Sequence, residues 1–221
     1  MKIDKKLLAT LASGVATCIA PAVTITADAG DSEVSSTGGV GQGTRGFFYA
    51  GTYYAGNGLA PVFPFLLPTL GAGESFDSAT LTLGLERLFN GNNLTSNGDI
   101  IGLDRVDASP LPLGEDWGSA GTMLHDNFYT PTNAPAVQTS QDFASWLNTQ
   151  YADGANAGNY VFIKVDAESQ TAGRAAYVLA SSENTALQTP ELNYTTTSVP
   201  EPSSTLLFGL GGLALILRRR K

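Results

Sequence analysis

Few side chains in this chain are able to make or break bonds. A single histidine, His125, stands beside Asp126, and a single cysteine, Cys18, lies near the N-terminus. Serine and aspartate are plentiful, but no serine occupies the Gly-x-Ser-x-Gly elbow that exposes a nucleophile. Catalysis needs groups of complementary pKa held close together, and His125 in its polar stretch reads as a solvated loop residue. Zinc wants several imidazoles or thiolates, which one His and one Cys do not supply. Glycoside hydrolysis needs two facing carboxylates. With 20 Asp and Glu in the chain, a neighbour pair such as Glu115-Asp116 predicts nothing. The glycine loop Gly38-Gly39-Val40-Gly41-Gln42-Gly43 is followed by neither a helical period nor Lys-Ser/Thr, so it is not a phosphate cradle. No enzyme is expected, and no metal site is assigned.

Two kinds of binding chemistry remain. Asp28, Asp31 and Glu33, or Asp99, Asp104 and Asp107, place carboxylates in expected loops near strand ends, and Ca²⁺ takes six to eight oxygens. Neither set has EF-hand spacing, and solvated surface carboxylates are the simpler reading. Aromatic rings offer the second chemistry, because Trp117, Tyr129, Tyr53 or Tyr54 would stack on sugar rings if exposed. Trp117 leads the group, since Gly114-Glu115-Asp116 and Gly118-Ser119 surround it with polar loop residues. Its competing role is a plug at the end of a sandwich.

The C-terminal stretch from Val199 to Lys221 has a stronger pattern. Val199-Pro200-Glu201-Pro202 comes first, then an apolar run from Leu206 to Leu217, then Arg218, Arg219, Arg220 and Lys221. Proline fixes φ and donates no backbone hydrogen bond, so the first part is expected to be extended and readable by an enzyme cleft. The run's 12 residues make roughly 18 Å of helix against about 30 Å of hydrocarbon. It contains Gly209, Gly211 and Gly212, and its eight Leu, Ile and Phe residues supply only about 2.5–5 kcal/mol of insertion energy. These magnitudes favour a transient membrane handle over a permanent tail anchor, with the terminal cations held in the cytoplasm.

This tripartite tail resembles the PEP-CTERM sorting signal of Gram-negative bacteria. The resemblance implies recognition by exosortase, a membrane-embedded cysteine protease, through Val199, Pro200, Glu201, Pro202 and the cluster Arg218, Arg219 and Arg220. It also implies export to the cell surface or an extracellular polysaccharide matrix, as in a biofilm.

The N-terminus agrees with export. Lys2, Lys5 and Lys6 form a basic region, Leu7 to Ala20 an apolar one, and Ala20-Pro21-Ala22 a small-residue cleavage site for signal peptidase of the general secretion machinery. Ala27-Asp28-Ala29 is a second possible site. Cutting after Ala22 is preferred because Val23-Thr24-Ile25-Thr26 alternates like a strand. Cys18 lies inside this leader, and Thr17 before it departs from a lipobox. The mature protein is then free of thiols, with no disulfide to staple it.

Removing both ends sharpens the charge. Seven of 12 Lys and Arg lie in the two tails, against two of 20 Asp and Glu, leaving five cations, 18 carboxylates and a net charge of −13. Nucleic acid is excluded as a partner, since so few cations would face its phosphates.

The elements between the tails read mostly as strands. Phe47 to Tyr54 is aromatic and β-prone. Ala79, Leu81, Leu83 and Leu85 alternate with Thr80, Thr82 and Gly84. Ile100 to Val106, Tyr160 to Val165, Ala175 to Ser181 and Leu192 to Thr195 follow, between turns such as Asn90-Gly91 and Asn97-Gly98. Pro64 and Pro68 mark Val62 to Leu70 as an edge strand or connector. One helix is expected from a Ser140 cap, with Phe143, Trp146, Leu147 and Tyr151 on its core face. The fold class is therefore all-β, a jelly-roll-like antiparallel β-sandwich with one short helix, flanked by an N-terminal signal helix and a C-terminal hydrophobic helix. The organisation is signal peptide 1–22, sandwich 23–194, spacer 195–198 and sorting signal 199–221.

Short patches spread through the body are similar to bacterial surface modules of the DNRLRE type: Leu67-Pro68, Gly71-Ala72-Gly73-Glu74, Ser78 to Leu81, Gly154 to Tyr160, Ser181 to Asn184 and Pro190 to Leu192. The Asp-Asn-Arg-Leu-Arg-Glu string that names those modules is absent. That resemblance implies a jelly roll shaped like carbohydrate-binding modules. The functional expectation is an exported structural or matrix protein, with a non-catalytic carbohydrate-binding module as the alternative and a secreted hydrolase third.

Overall fold

Alternation of apolar and polar residues at period two dictates most of the architecture. A computed structural model describes residues 18–41, 45–54, 57–167 and 173–198. Twelve strands form among the described residues: β1 (Cys18–Ile19), β2 (Val23–Thr26), β3 (Ser32–Ser35), β4 (Phe47–Tyr54), β5 (Asn57–Leu66), β6 (Glu74–Phe89), β7 (Gly98–Asp107), β8 (Gly121–Tyr129), β9 (Val137–Thr139), β10 (Tyr160–Ala167), β11 (Ala175–Ala180) and β12 (Glu191–Ser198). Their named pairings are all antiparallel. One helix, α1 (Ala144–Tyr151), accompanies them.

The strands hydrogen-bond in the order β1-β12-β6-β11-β4-β5-β10-β7-β8, with β2 also on β12, β3 on β5 and β9 on β6. The all-β expectation holds, but the layers are not two separate sheets. β6 is 16 residues long and pairs with β12 through its first part and with β11 through its last. One curved sheet therefore runs through β6 like a half-barrel.

Inside the curve, Phe76, Ala79, Leu81, Leu83 and Leu85 of β6 meet Phe48 and Ala50 of β4, Phe63 and Phe65 of β5, Val161, Ile163 and Val165 of β10, and Leu192 and Tyr194 of β12. The helix closes this core with Trp146, Leu147 and Tyr151, joined by Phe143. Its aromatic stripe is thus core packing. Ser140 is not the cap, because the helix begins after Phe143. Instead the Ser140 hydroxyl accepts the Leu81 N–H at 2.9 Å. The Asp142 carboxylate accepts the N–H groups of Ala79 and Ala144 at 2.8 and 3.0 Å. Asn148 both accepts from and donates to the Phe76 backbone. These side chains stitch the helix segment to the free edge of β6.

Three further expectations need correction. The proline-containing strand is an inner one, with β10 on one side and β3 and β4 on the other. Pro64 is tolerated because its carbonyl takes the Asp28 N–H at 2.9 Å, beyond the end of β3. A proline N is harmless where the ladder has already stopped. Residues 195–198 are not a spacer: they continue β12 to Ser198 against Glu74 to Ser78 of β6, and Thr196 is buried. Cys18 and Ile19, placed in the leader's apolar run, are extended and pair with Ser198 and Thr197. The remaining leader residues and the C-terminal apolar run lie outside the described residues, and among those described no helix is long and apolar enough to cross a membrane.

Leu81 lies at the centre of the long strand and is wholly buried. Leu81→Ala is expected to cost about 2–5 kcal/mol, read as a lower urea midpoint with an unchanged slope.

Candidate binding face

The outer side of the curved sheet divides into two halves of different character. On the first half, Ala60 and Val62 of β5, Phe162 of β10 and Leu103 of β7 point outward and are nonetheless buried. Val34, paired beside Ala60 on β3, joins them, and the loop carrying Trp117 packs over the group. Arg105 holds that loop down. Its guanidinium lies 3.5 Å from the Phe162 ring centroid and forks onto the buried Asp116 carboxylate at 2.8 and 2.7 Å. Asp116 also accepts the Leu113 N–H at 2.7 Å. Lys164, 2% exposed, donates to the Trp117 carbonyl at 2.9 Å and pairs with Asp166 at 3.3 Å.

Trp117 is therefore a roof tile and not a presented platform. Its ring rests on Gly58 so closely that a Cβ there would come within 2.3 Å. Tyr129 is further from any ligand: it is fully buried, stacked 5.6 Å from Tyr177, and its hydroxyl is directed at the Leu83 carbonyl. Tyr129 offers a sugar no exposed ring face, and Trp117 is half-buried against Gly58.

The second half has no roof among the described residues. Phe47, Tyr49 and Tyr53 project outward from β4 at even spacing, with Gly51 between them, and meet Ala176 and Val178 of β11. Phe89 joins them because of one extra residue. Val178 faces Arg87 while Leu179 faces Leu85, so Glu86 is a bulge. A bulge exchanges the faces of everything after it, and Arg87 and Phe89, which simple alternation from Leu85 would turn inward, lie outside. The result is a continuous aromatic surface. Tyr49 and Tyr53 are stacked with centroids 4.0 Å apart, Phe47 meets Tyr49 edge-on at 5.7 Å, and Phe89 lies 5.1 Å from Tyr53.

Cations border these rings. Arg87 approaches Phe47 at 5.9 Å, and Arg174 approaches Tyr53 and Phe89 at 5.2 and 5.6 Å while donating to the Tyr53 carbonyl. Arg87 also pairs with Glu86, and its side chain remains 48% exposed. Of the sequence candidates, Tyr53 is thus brought to a partly open face, and the Tyr54 side chain lies outside the described residues. Phe47, Phe89, Arg87 and Arg174 were missed. The even spacing within Phe47 to Tyr53 was the available signal, but only the pairing of β11 and the Glu86 bulge reveal the outer face.

Beside this face, Glu33 of β3 is buried and accepts the Tyr49 N–H, with Arg45 nearby. Burial pushes its carboxyl up to about 7, against the pull of that hydrogen bond and of Arg45. Asp31 is also driven to about 7 by burial, opposed by the backbone N–H of Ser182 at 2.7 Å. Tyr49 is pushed up to about 12, first by burial and then by Tyr53. Asp28 serves other partners, the Gly30 N–H and the Tyr160 hydroxyl, and Asp99, Asp104 and Asp107 are bonded separately to Asn127, Thr122 and Ser109. Neither carboxylate set gathers, and no metal-holding group of three His, Cys, Asp or Glu occurs among the described residues.

His125 is tied by its Nδ1, which accepts the Gln141 N–H at 2.9 Å, and burial lowers its pKa. A groove of about 330 Å³ between α1 and the strands β7 and β8 is lined by Asp104, Thr122, Asp142, Trp146 and Gln150 among others. Both of its carboxylates already hold protein groups. Ala20 donates its N–H to the Thr196 carbonyl at 2.9 Å, and Ala22 is exposed two residues later.

Residues 198–221 match the PEP-CTERM protein-sorting motif. They contain Val199, Pro200, Glu201, Pro202, Arg218, Arg219 and Arg220, all outside the described residues. No curated protein matches the chain.

The raised carboxyls give a pH prediction. Unfolded, Asp31 and Glu33 ionise near their ordinary values of 3.8 and 4.5, whereas folded they hold a proton to about 7. The folded state binds more protons in between, so their contribution is fully present below about 4, declines as pH rises to about 7 and then levels. Each contributes at most roughly 1.4 kcal/mol per pH unit. Urea midpoints at pH 5 and pH 8 are expected to lie further apart in the parent than in an Asp31→Asn, Glu33→Gln double variant.

Proposed function

We propose that this is an exported cell-surface or extracellular-matrix protein, sorted through its C-terminal motif and cut there by exosortase. The single observation carrying the reading is the match of residues 198–221 to the sorting motif. The prolines that follow Ser198 in the sequence suit an exposed, extended recognition segment. The tail then acts as a temporary inner-membrane handle, and the protein ends on the outer surface or in the matrix of a Gram-negative cell.

Signal peptidase cleavage after Ala22, following secretion, is the N-terminal half of this proposal. It would leave β2, whose residues Val23 to Thr26 pair with Tyr194 to Glu191. A cut after Ala29 would strip that strand from β12. The released domain is read as non-catalytic and structural, built from a thiol-free curved sheet of the jelly-roll type. A second reading, a non-catalytic carbohydrate-binding module for extracellular polysaccharide, is favoured by the half-buried aromatic cluster of β4, which has no roof among the described residues.

Intact mass and fractionation from host cells with and without exosortase test the main reading. The expected product begins at Val23, lacks the Arg cluster and lies outside the inner membrane, and exosortase loss restores the tail. Persistence of Arg220 and Lys221 in an inner-membrane form while exosortase is active would sink the proposal. A Pro200→Ala, Pro202→Ala variant is expected to accumulate uncut.

A further inference from the structure

We propose that the groove between α1 and the strands β7 and β8 binds one neutral pyranose unit of a glycan. In this site the Trp146 indole N–H and the Gln150 amide donate to sugar oxygens, and the Asp104 carboxylate accepts a sugar hydroxyl. The proposal rests on the carbohydrate-binding reading and places its site away from the aromatic cluster of β4. The groove's walls are β7, β8 and the segment from Asp142 to Gln150.

Two polar side chains there lack protein partners among the described residues. Trp146 is 6% exposed, and its Nε1 is buried without a hydrogen bond. Gln150, 9% exposed, makes a hydrogen bond only through its backbone carbonyl, to Asn156, and none through its side-chain amide. Buried polar groups are normally paired, and residues four apart share one face of a helix. The helix thus brings two unmet polar side chains to one recess. The Trp146 ring is core, yet its Nε1 lies over Gly102, where a Cβ would come within 2.8 Å of it. Gly102 pairs with Thr122 and shares its strand face with Asp104. The indole N–H is therefore set beside two residues of the groove. It is covered in this structure, and a ligand oxygen reaches it as the unbonded Gln150 side chain turns aside.

The other polar groups select the ligand's charge. Asp104 accepts from Thr122, and Asp142 from the N–H groups of Ala79 and Ala144, in each case through Oδ1. Their Oδ2 atoms accept from no described protein group, and no Lys, Arg or His lines the groove. Anions are repelled by such a site. Two carboxylates also fall short of the six to eight oxygens that Ca²⁺ takes. Donors and acceptors side by side suit hydroxyls, each of which gives and takes a hydrogen bond. At about 330 Å³ the groove lies at the small end of the roughly 300–1,000 Å³ usual for ligand sites, which favours a single sugar ring. Met123, Leu124 and Phe143 supply apolar contact for the C–H face of that ring.

Titration of the full chain with glucose, galactose, mannose and N-acetylglucosamine, followed by NMR of the indole N–H signals, tests this. The chain has two tryptophans, and Trp117→Phe assigns the Trp146 signal. At least one neutral sugar is expected to move that signal saturably, with glucuronate roughly tenfold weaker or more. Gln150→Ala with Asp104→Asn is expected to weaken the response roughly tenfold, with a melting temperature near the parent's. A signal that no neutral sugar moves, or that glycerol moves equally, overturns the site. Glucuronate as effective as the neutral sugars overturns the charge assignment, and an undiminished response in the double variant overturns the contacts. Retention of the parent on immobilised glucan or galactomannan with the Trp146 signal unmoved overturns this groove and leaves the carbohydrate reading standing. Neither retention nor movement overturns both. If the double variant fails to fold, Asp104→Asn alone, at an exposed side chain, decides the same point.

Discussion

A strand presents its side chains to alternate faces, and only an extra residue changes which set looks inward. This constraint governs the molecule because β6 takes part in both ends of the curved sheet. Its leucines at 81, 83 and 85 fill the core, and the Glu86 bulge then turns Arg87 and Phe89 to the outside while Leu88 packs inward. Without that step, a guanidinium would be driven toward a hydrocarbon interior, at a cost no neighbouring carboxylate in the core would offset. The bulge keeps the core apolar and, by the same act, completes the outer aromatic surface.

The outer side shows two solutions to one problem. Both halves carry a cluster of buried apolar residues on the outer side of the sheet. One half is covered by a loop whose buried carboxylate, Asp116, is held by Arg105, while Lys164 of β10 reaches Asp166 and the Trp117 carbonyl. The other half shields its central tyrosine, Tyr49, with neighbouring rings that are themselves half-buried. Phe47, Tyr53 and Phe89 cover the buried Tyr49, Ala176 and Val178 there.

Much of this was legible in the residues where the pattern is local. The leucines of β6, the helical stripe ending at Tyr151, the strand of Tyr160 to Val165 and the three-part tail each carry their own periodicity or order. What escaped depends on partners distant in sequence. The strand Ser32–Ser35 is polar, and its Glu33 is buried only because Tyr49 supplies a backbone N–H. Asp31 likewise depends on Ser182. Thr195 to Ser198 resembles a flexible spacer until the first residues of β6 pair with it. Trp117 and Tyr129 look presentable from their flanking residues, yet Gly58 and Tyr177 decide otherwise. Local chemistry picked out Trp117, Tyr129 and Tyr53 but not Phe47 or Phe89, and topology decided how deeply each ring is buried.

β12 is paired up to Ser198, so on the proposed route the leash to the apolar run would be short. Only Val199 to Thr205 separate Ser198 from the first leucine of the apolar run, and even fully extended they reach roughly 25 Å. On the proposed route, the whole domain would travel pressed against the bilayer, like a lid hinged at its rim. A protease acting there would have to work in the narrow gap beneath the domain, or loosen the end of β12 to gain room. Such a product would carry little trailing polypeptide, and any group joined to the new terminus would sit flush with the rim of the sheet.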